Sequence, residues 1–493
     1  MLDMEDGKSS VKVEVLVIGS GAGGAVTAIE LAKAGFNVVV LEEGARHSLQ
    51  SYGQRSTKSM QLLYRNKGMT PVFGSIPIGF VEGRCLGGST EINSGFWHRL
   101  PPEFAMRWTK QFEIDEFRPE TLEPHFAWCE EHLHVSKPKD LPPSTEVFKR
   151  GVELMGWSAR VVQRAAKDCV NTNACASGCP KGAKQGMTRN LIPLAEKWGV
   201  NFVTGAKVKL LIKERGRISG VLAEIQREDR TTDLVRIDAE YVFVCAGATQ
   251  TPALLRRSGI RSHVGDTFQI HPMLKVAALF DEEINAQDSV MPMVQVKEFW
   301  PDISLGGSFF TVGHLAMNLS DNWLENRDLV KHYRKMATYY VAVRGTGKGT
   351  VRPARFGSDY SHLKYELSSV DVRHLSQGLA RLSTLLLQSG AKSVYPCVQG
   401  LPKIETELEA VTWLDQDLPR KNLSLTTVHA FSTCPMGERA DKCAADSYGR
   451  VFGFDNLYIN DASMLPDSPG INPQGTIMAV ARRNAHHFIA EKK

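Results

Sequence analysis

The stretch GSGAGG sets Gly19, Gly21 and Gly24 in the spacing G-x-G-x-x-G. Glycines at these positions permit a tight turn, a close approach of backbone to a pyrophosphate, and close packing of the next helix on its strand. Glu42 follows Gly24 by 18 residues, where a carboxylate can accept hydrogen bonds from ribose hydroxyls and disfavours a 2′-phosphate. The implied chemistry is dinucleotide binding, and this unit alone does not separate NAD from FAD. A second constellation is Cys169, Cys175 and Cys179, followed directly by Pro180. A disulfide there conflicts with a reducing compartment. Structural zinc needs a fourth ligand, and no nearby His or Cys offers one. Closely spaced cysteines ending in Cys-Pro fit iron–sulfur ligation, which makes these three the candidate ligands; a loop without metal is the alternative.

The elements that must hold these residues can be read from periodicity. VKVEVLVI, residues 11–18, predicts a buried strand, AVTAIELAKAG a helix, and NVVVLEEG a second strand, together one βαβ unit. From about 50 to 165 the pattern is irregular, with helix-like pieces such as PETLEPHFAWCEEHLHV. Strand patterns return between 200 and 260 in NFVTGAKVKLLIKE, ISGVLAEIQ and AEYVFVCAG, the last running into the helix-like TQTPALLRRSG. Residues 273–425 alternate strand-like runs (MLKVAALF, YYVAVRG) with one long helix, VDVRHLSQGLARLSTLLLQSG. The chain closes with DNLYINDASMLP and a helix over TIMAVARRNAHHFIAEKK.

At 493 residues the chain exceeds one simple core, so two domains are expected. It contains no repeat and no Pro/Ser-rich linker, so the domains must be interleaved by the chain crossing between them. Apolar residues at 42% and charged residues at 23% describe an ordinary globular protein. A net charge of +5 without a clustered basic stripe excludes nucleic acid as the expected partner. The N-terminus reads as lacking a secretion signal, and no window reaches the length of an apolar membrane span. Nine cysteines, an odd number mostly set singly in apolar segments, favour free thiols in the cytoplasm.

Further motifs, in order along nearly the whole chain, carry a resemblance to a known family. They are GRCLGGSTEIN at 83–93, CAGATQTPALLRRSGI at 245–260, VGDTFQIHP at 264–272, HAFSTCPMG at 429–437, YINDASMLP at 458–466 and NPQGTIMAVA at 472–481. The chain resembles the glucose-methanol-choline (GMC) family of FAD-dependent oxidoreductases. The resemblance implies an α/β fold in which a Rossmann-like FAD-binding domain is interleaved with a substrate domain built on a mostly antiparallel sheet with helices. The expected division is 1–100, 196–272 and 426–493 for the FAD-binding domain, and 101–195 with 273–425 for the substrate domain and connecting segments.

The same resemblance decides for FAD over NAD and implies its contacts: Gly87, Gly88, Ser89 and Asn93 in the glycine-rich loop, Val208 by its backbone at the adenine, and Asp461. Gly87 and Gly88 can turn backbone N–H groups toward a cofactor with no Cβ in the way. Asp461 follows an apolar strand and precedes small residues, which suits a hydrogen bond to the ribityl or phosphate side. Ile92 stands where some members carry a flavin-linking His, so the FAD is expected to be non-covalent.

Oxidising an alcohol removes a hydroxyl proton and a hydride from carbon. Flavin N5 takes the hydride and the protein supplies the proton acceptor. By its HxxxT context His429 is implied as the general base, and Asn472 as the residue that hydrogen-bonds the substrate oxygen. The expected substrate is a primary or secondary alcohol: long-chain, sterol, sugar or amino sugar. Its wall is expected within 273–425, which includes Trp300, Phe309, Phe310, Tyr339, Tyr340 and Trp413. Electrons pass to O₂ or to another acceptor. The cysteine loop also resembles the cluster site of GMC dehydrogenases that pass electrons to a partner subunit or cytochrome, and a similar stretch occurs in cluster-free GMC oxidases. A non-catalytic flavin-binding scaffold is the alternative of another class. His271 is expected to have a structural role.

Overall fold

The computed structural model describes residues 10–53, 57–227, 229, 231–354 and 360–493. Strand β1 (Ser10–Ile18) leads through Gly19–Gly21 into helix α1 (Ala22–Lys33) and then strand β2 (Val38–Glu42), the βαβ unit expected from sequence. β1 pairs in parallel with β2 and with strand Thr232–Val244, and strand Asn201–Thr204 extends the sheet beyond β2. Strand Leu457–Ile459 adds in parallel to the end of Thr232–Val244, and Ala206–Glu214 with Arg217–Gln226 forms an antiparallel flap on the far side. The runs of Val, Leu and Ile in β1 and β2 follow from burial on both faces of a parallel sheet.

Helix α1 packs against the C-terminal helix Gln474–Lys492, and its seat on neighbouring backbone depends on missing side chains. A Cβ at Gly24 would lie 2.0 Å from the Gly19 carbonyl oxygen, and one at Gly23 would lie 1.9 Å from that of Asn460. The chain therefore folds α1 closely onto the turn that precedes it and onto the end of strand Leu457–Ile459.

Among the described residues the second sheet has eleven strands and is mostly antiparallel. Its centre is Met273–Phe280, flanked by Met336–Val343, Ala391–Pro396 and Leu425–Thr427. Ile303–Gly307 and Val294–Val296 continue it outward to Ala159–Val161. The helix expected over VDVRHLSQGLARLSTLLLQSG is Ser369–Gln388, started by a capping box between Ser368 and Asp371. Its buried Leu375, Leu379, Leu382 and Leu386 recur at helical spacing and cover this sheet.

Two short strands, Thr70–Phe73 and Ile78–Phe80, also join the second sheet through Ser361–Glu366 and Leu425–Thr427. They come from the 1–100 segment that sequence assigns to the FAD-binding part, so the chain crosses between the sheets earlier than that division has it. In the other direction, helix Pro119–His132 packs on the C-terminal helix beside the first sheet. Among the described residues no helix is long and apolar enough to cross a membrane.

Candidate active site

A cavity of about 830 Å³ runs from the βαβ turn to the face of the second sheet. Gly19, Gly21, Glu42, Val208 and Asp461 line its end at the βαβ turn, and Asn93, His429 and Asn472 line the other. Gly19 adopts φ +102°, which favours glycine, and a Cβ there would strike the Cys245 carbonyl at 2.4 Å. At Gly21 no neighbouring group lies within 4 Å of where a Cβ would stand. That space belongs to the cavity, as expected where backbone must approach a ligand closely.

Glu42 is buried, and its carboxylate accepts from Ser20 N at 3.0 Å, Ser20 Oγ at 2.7 Å and Gly44 N at 2.8 Å. Burial raises its pKa, and these hydrogen bonds oppose the rise. Ser20 Oγ in turn accepts from Gly87 N at 2.9 Å, which ties the glycine-rich loop to the βαβ turn. Gly88 N closes a tight turn onto Cys85 O at 2.8 Å. The Gly87 and Gly88 amides are thus committed to protein partners, unlike the sequence expectation that they face the cofactor; the positive φ of both residues is what the loop requires.

Ser89 Oγ accepts from Gly83 N at 2.9 Å. Asn93 Nδ2 donates to Gln474 Oε1, and Asn93 Oδ1 accepts from Gly95 N at 3.0 Å. Val208 is buried in the antiparallel flap, next to a break in register. Asp461 accepts four hydrogen bonds, from Gly247 N, Thr251 Oγ1, Ser463 N and Ser463 Oγ, at 2.5–2.8 Å. It therefore joins the start of helix Gly247–Arg257 to the C-terminal segment beside the cavity.

At the other end, Asn472 Nδ2 lies 3.1 Å from His429 Nε2. Asn472 stands just before helix Gln474–Lys492, and His429 sits between strands Leu425–Thr427 and Ala430–Phe431. The Asn472 amide sets a polarity: it donates to His429 Nε2, so His429 Nδ1–H donates to His271 Nδ1 at 3.0 Å, and His271 Nε2–H donates to Ser468 Oγ at 2.9 Å. His429 is exposed to the cavity and not to bulk solvent; burial, then the Lys275 charge, lower its pKa to about 4. Burial, then the neighbouring His429, lower that of His271 well below the ordinary value.

His271 is the site residue that sequence reasoning placed as merely structural. The ladder pairing Ile270 with Ala430 and Gln269 with Phe431 sets His271 beside His429. Its signal in the sequence was its place at the end of VGDTFQIHP. Of the expected aromatic wall, Phe309 and Tyr340 line the cavity. Phe310 and Tyr339 are buried in the core, Trp413 packs against that core, and Trp300 packs on Phe104.

The cysteine loop corrects an expectation. Among the described residues no group of three His, Cys, Asp or Glu side chains could hold a metal ion, so the sulfurs of Cys169, Cys175 and Cys179 form no cluster site. The Arg164 guanidinium stands among them instead, donating to Cys169 Sγ at 3.7 Å and Cys175 Sγ at 3.3 Å. Buried Lys184 donates to Cys175 O at 3.0 Å and Asn93 O at 2.8 Å. The loop thus buttresses the Asn93 turn at the cavity.

A parallel sheet with a glycine turn at its carboxyl end, a second, mostly antiparallel sheet and a cavity between them are the arrangement of a dinucleotide-binding fold. The chain matches the GMC oxidoreductase family, its N-terminal model over residues 14–273 and its C-terminal model over 346–481, and belongs to that family. It is 38% identical to the uncharacterized GMC-type oxidoreductase y4nJ of Sinorhizobium fredii, covering 97% of this chain and 95% of the relative. It is 24% identical to the long-chain-alcohol oxidase FAO3 of Arabidopsis thaliana, over 98% of this chain and 68% of the relative. In fold it resembles the pyridoxine 4-oxidase of Mesorbium loti, with a TM-score of 0.71, 16% identity, and 97% of this chain and 99% of that chain covered. A formate oxidase matches equally, with a TM-score of 0.71 and 16% identity over 98% of this chain and 99% of that one.

Proposed function

We propose that the protein oxidises an alcohol to a carbonyl compound using FAD held without a covalent link. The observation that carries this reading is the Asn472–His429 contact of 3.1 Å at the end of a cavity that begins at Gly19 and Gly21. Gly21, Glu42, Val208, Ser89, Asn93 and Asp461 would hold the cofactor along that length. FAD, when bound, supplies the acceptor for the two electrons and the carbon-bound hydrogen. His429 Nε2 takes the hydroxyl proton as the O–H bond breaks, and the C=O bond forms. The substrate hydroxyl takes the place of the Asn472 N–H at His429 Nε2, and that amide then orients the substrate oxygen against His429. His271 Nδ1, accepting from His429 Nδ1–H, holds the imidazole in the tautomer whose Nε2 is free of hydrogen.

The name of the Arabidopsis relative supports an alcohol substrate. The test is anaerobic mixing of purified holoenzyme with an alcohol panel while the flavin absorbance is followed. Wild type should bleach with at least one alcohol, and His429→Ala should slow that bleaching by about 10²–10⁴-fold, the usual range for removing a general base. Equal rates in the two proteins would discard His429 as the base, and a flavoprotein that no alcohol reduces would leave the scaffold reading. Acid precipitation should release the flavin into the supernatant, since Ile92 offers no atom for a covalent bond.

A further inference from the structure

The sheet wall above the catalytic pair carries more charge than alcohol oxidation needs. Lys275 pairs across from Tyr340, Tyr340 from Gly306, and Gly306 from Gln295, which makes one row over four strands with its side chains on one face. Lys275, Tyr340 and Gln295 all line the cavity. Gly306 leaves the gap through which the Tyr340 hydroxyl accepts from Gln295 Nε2 at 2.7 Å; a Cβ at 306 would lie 2.8 Å from that hydroxyl. Lys297, two residues beyond Gln295 and just past the end of its strand, lines the cavity with Ser304. Gln295 Nε2 also lies 3.3 Å from Asn472 Oδ1, so this wall abuts the reacting pair.

Neither ammonium meets a counter-charge among the described residues. Lys275 Nζ donates to Ser308 Oγ at 2.9 Å and stands 5.4 Å from the centre of the Tyr340 ring. Among the described residues neither Lys275 nor Lys297 has a carboxylate within 4.0 Å. The neighbouring Arg344, by contrast, faces Asp302 at 3.6 Å, and Arg107 faces Asp467 at 2.5 Å. The carboxylates that line the cavity, Glu42, Glu43, Glu82 and Asp461, are engaged elsewhere: Glu43 and Glu82 by Arg65, and the other two by the hydrogen bonds given above. Burial pushes both lysines down to about 8. Two enclosed cations without a counter-charge are costly unless a ligand supplies one. An alkyl chain or a sterol would leave them stranded.

We propose that the alcohol oxidised here carries an oxyanion, either a carboxylate or a phosphate, which Lys275 and Lys297 bind while the carbinol carbon lies at His429 and Asn472. This rests on the alcohol reading above and narrows its substrate to anionic hydroxy compounds.

Holoenzyme is mixed anaerobically with pairs that share the hydroxyl-bearing skeleton and differ in charge: glycolate and ethylene glycol, glycerate and glycerol, glycerol 3-phosphate and glycerol, 4-(hydroxymethyl)benzoate and its methyl ester. The anionic member of at least one pair should bleach the flavin with a kcat/KM about tenfold or more above its neutral partner, and the carboxylate and phosphate pairs tell the two oxyanions apart. Lys275→Met and Lys297→Met should collapse that preference at least about tenfold, chiefly through KM, and Lys297→Arg should restore most of it. Neutral members, or 1-dodecanol, reducing the flavin as fast as the acids would overturn the proposal and leave the alcohol reading standing. If no alcohol of any kind reduces the flavin, that reading fails and the anion site is judged by binding. Benzoate, acetate and inorganic phosphate are then titrated against the flavin spectrum. A saturable shift in wild type, weakened about tenfold in Lys297→Met, supports the site, and a flat titration removes it.

Discussion

His429 is a neutral base at ordinary pH because burial and the Lys275 charge both disfavour the imidazolium. Its pKa of about 4 lies below the ordinary value of 6.5, so it stays able to accept a proton as pH falls through 7 and 6, and loses that ability only near 4. We therefore expect kcat/KM, from stopped-flow flavin reduction after a pH jump, to stay level from pH 7 down to about 5 and then fall tenfold per unit below about 4. An acid limb centred near 6.5 would mean that the base is not enclosed as the structure has it. On the alkaline side Lys275 and Lys297 lose charge as pH rises through about 8, so KM for an anionic substrate should climb there while a neutral one is spared. At this scale the turn at Gly19, Gly21 and Gly24 was legible because turn chemistry is local, whereas Asp461, read as a cofactor contact, has its carboxylate engaged by four donors of the protein itself. The His271–His429 contact was not, because it joins residues 158 apart through a ladder of two residue pairs. The lysine wall was equally hidden: its members come from separate strands, and a lysine in an apolar strand shows its face only once the register is known.

At the scale of elements, helix α1 makes two different demands on its glycines. Gly23 is pressed on the Asn460 carbonyl, and Asn460 is pinned by its side chain, which donates to Thr27 Oγ1 at 2.8 Å and Ala481 O at 2.9 Å. A methyl there has no space to take, and overpacking of this kind costs about 1–3 kcal/mol or more. Gly21 faces the cavity. Gly23→Ala should lower the urea midpoint of the flavin-free protein, whereas Gly21→Ala should leave that midpoint near wild type and weaken FAD binding. Equal midpoint losses for the two would refute this division of roles. The βαβ unit was readable because its strands are continuous apolar runs and its helix is bounded by glycines. Thr70–Phe73 and Ile78–Phe80 were not: strands of four and three residues offer too few alternations to read, and what holds them is pairing with strands almost 300 residues or more further along.

Across the whole molecule, the chain crosses between the two sheets, and the crossings explain why the cavity is shared. Its nucleotide end is lined by the first sheet through Gly21 and Val208, its flank by the crossing segment through Ser89 and Asn93, and its far wall by the second sheet through Lys275 and Tyr340. A ligand that fills about 830 Å³ between these walls bonds all of them at once. FAD should then stabilise the entire chain, by about 4 kcal/mol at a free concentration a thousand times its Kd. Deflavinated protein should accordingly melt several degrees below holoprotein, with Tm rising with the logarithm of added FAD. Because the chain passes between the two sheets several times, melting should stay a single transition by both near-UV dichroism and flavin release. Two separable transitions, only one of them shifted by FAD, would mean that the second sheet folds independently and that the cofactor is held by the first sheet alone.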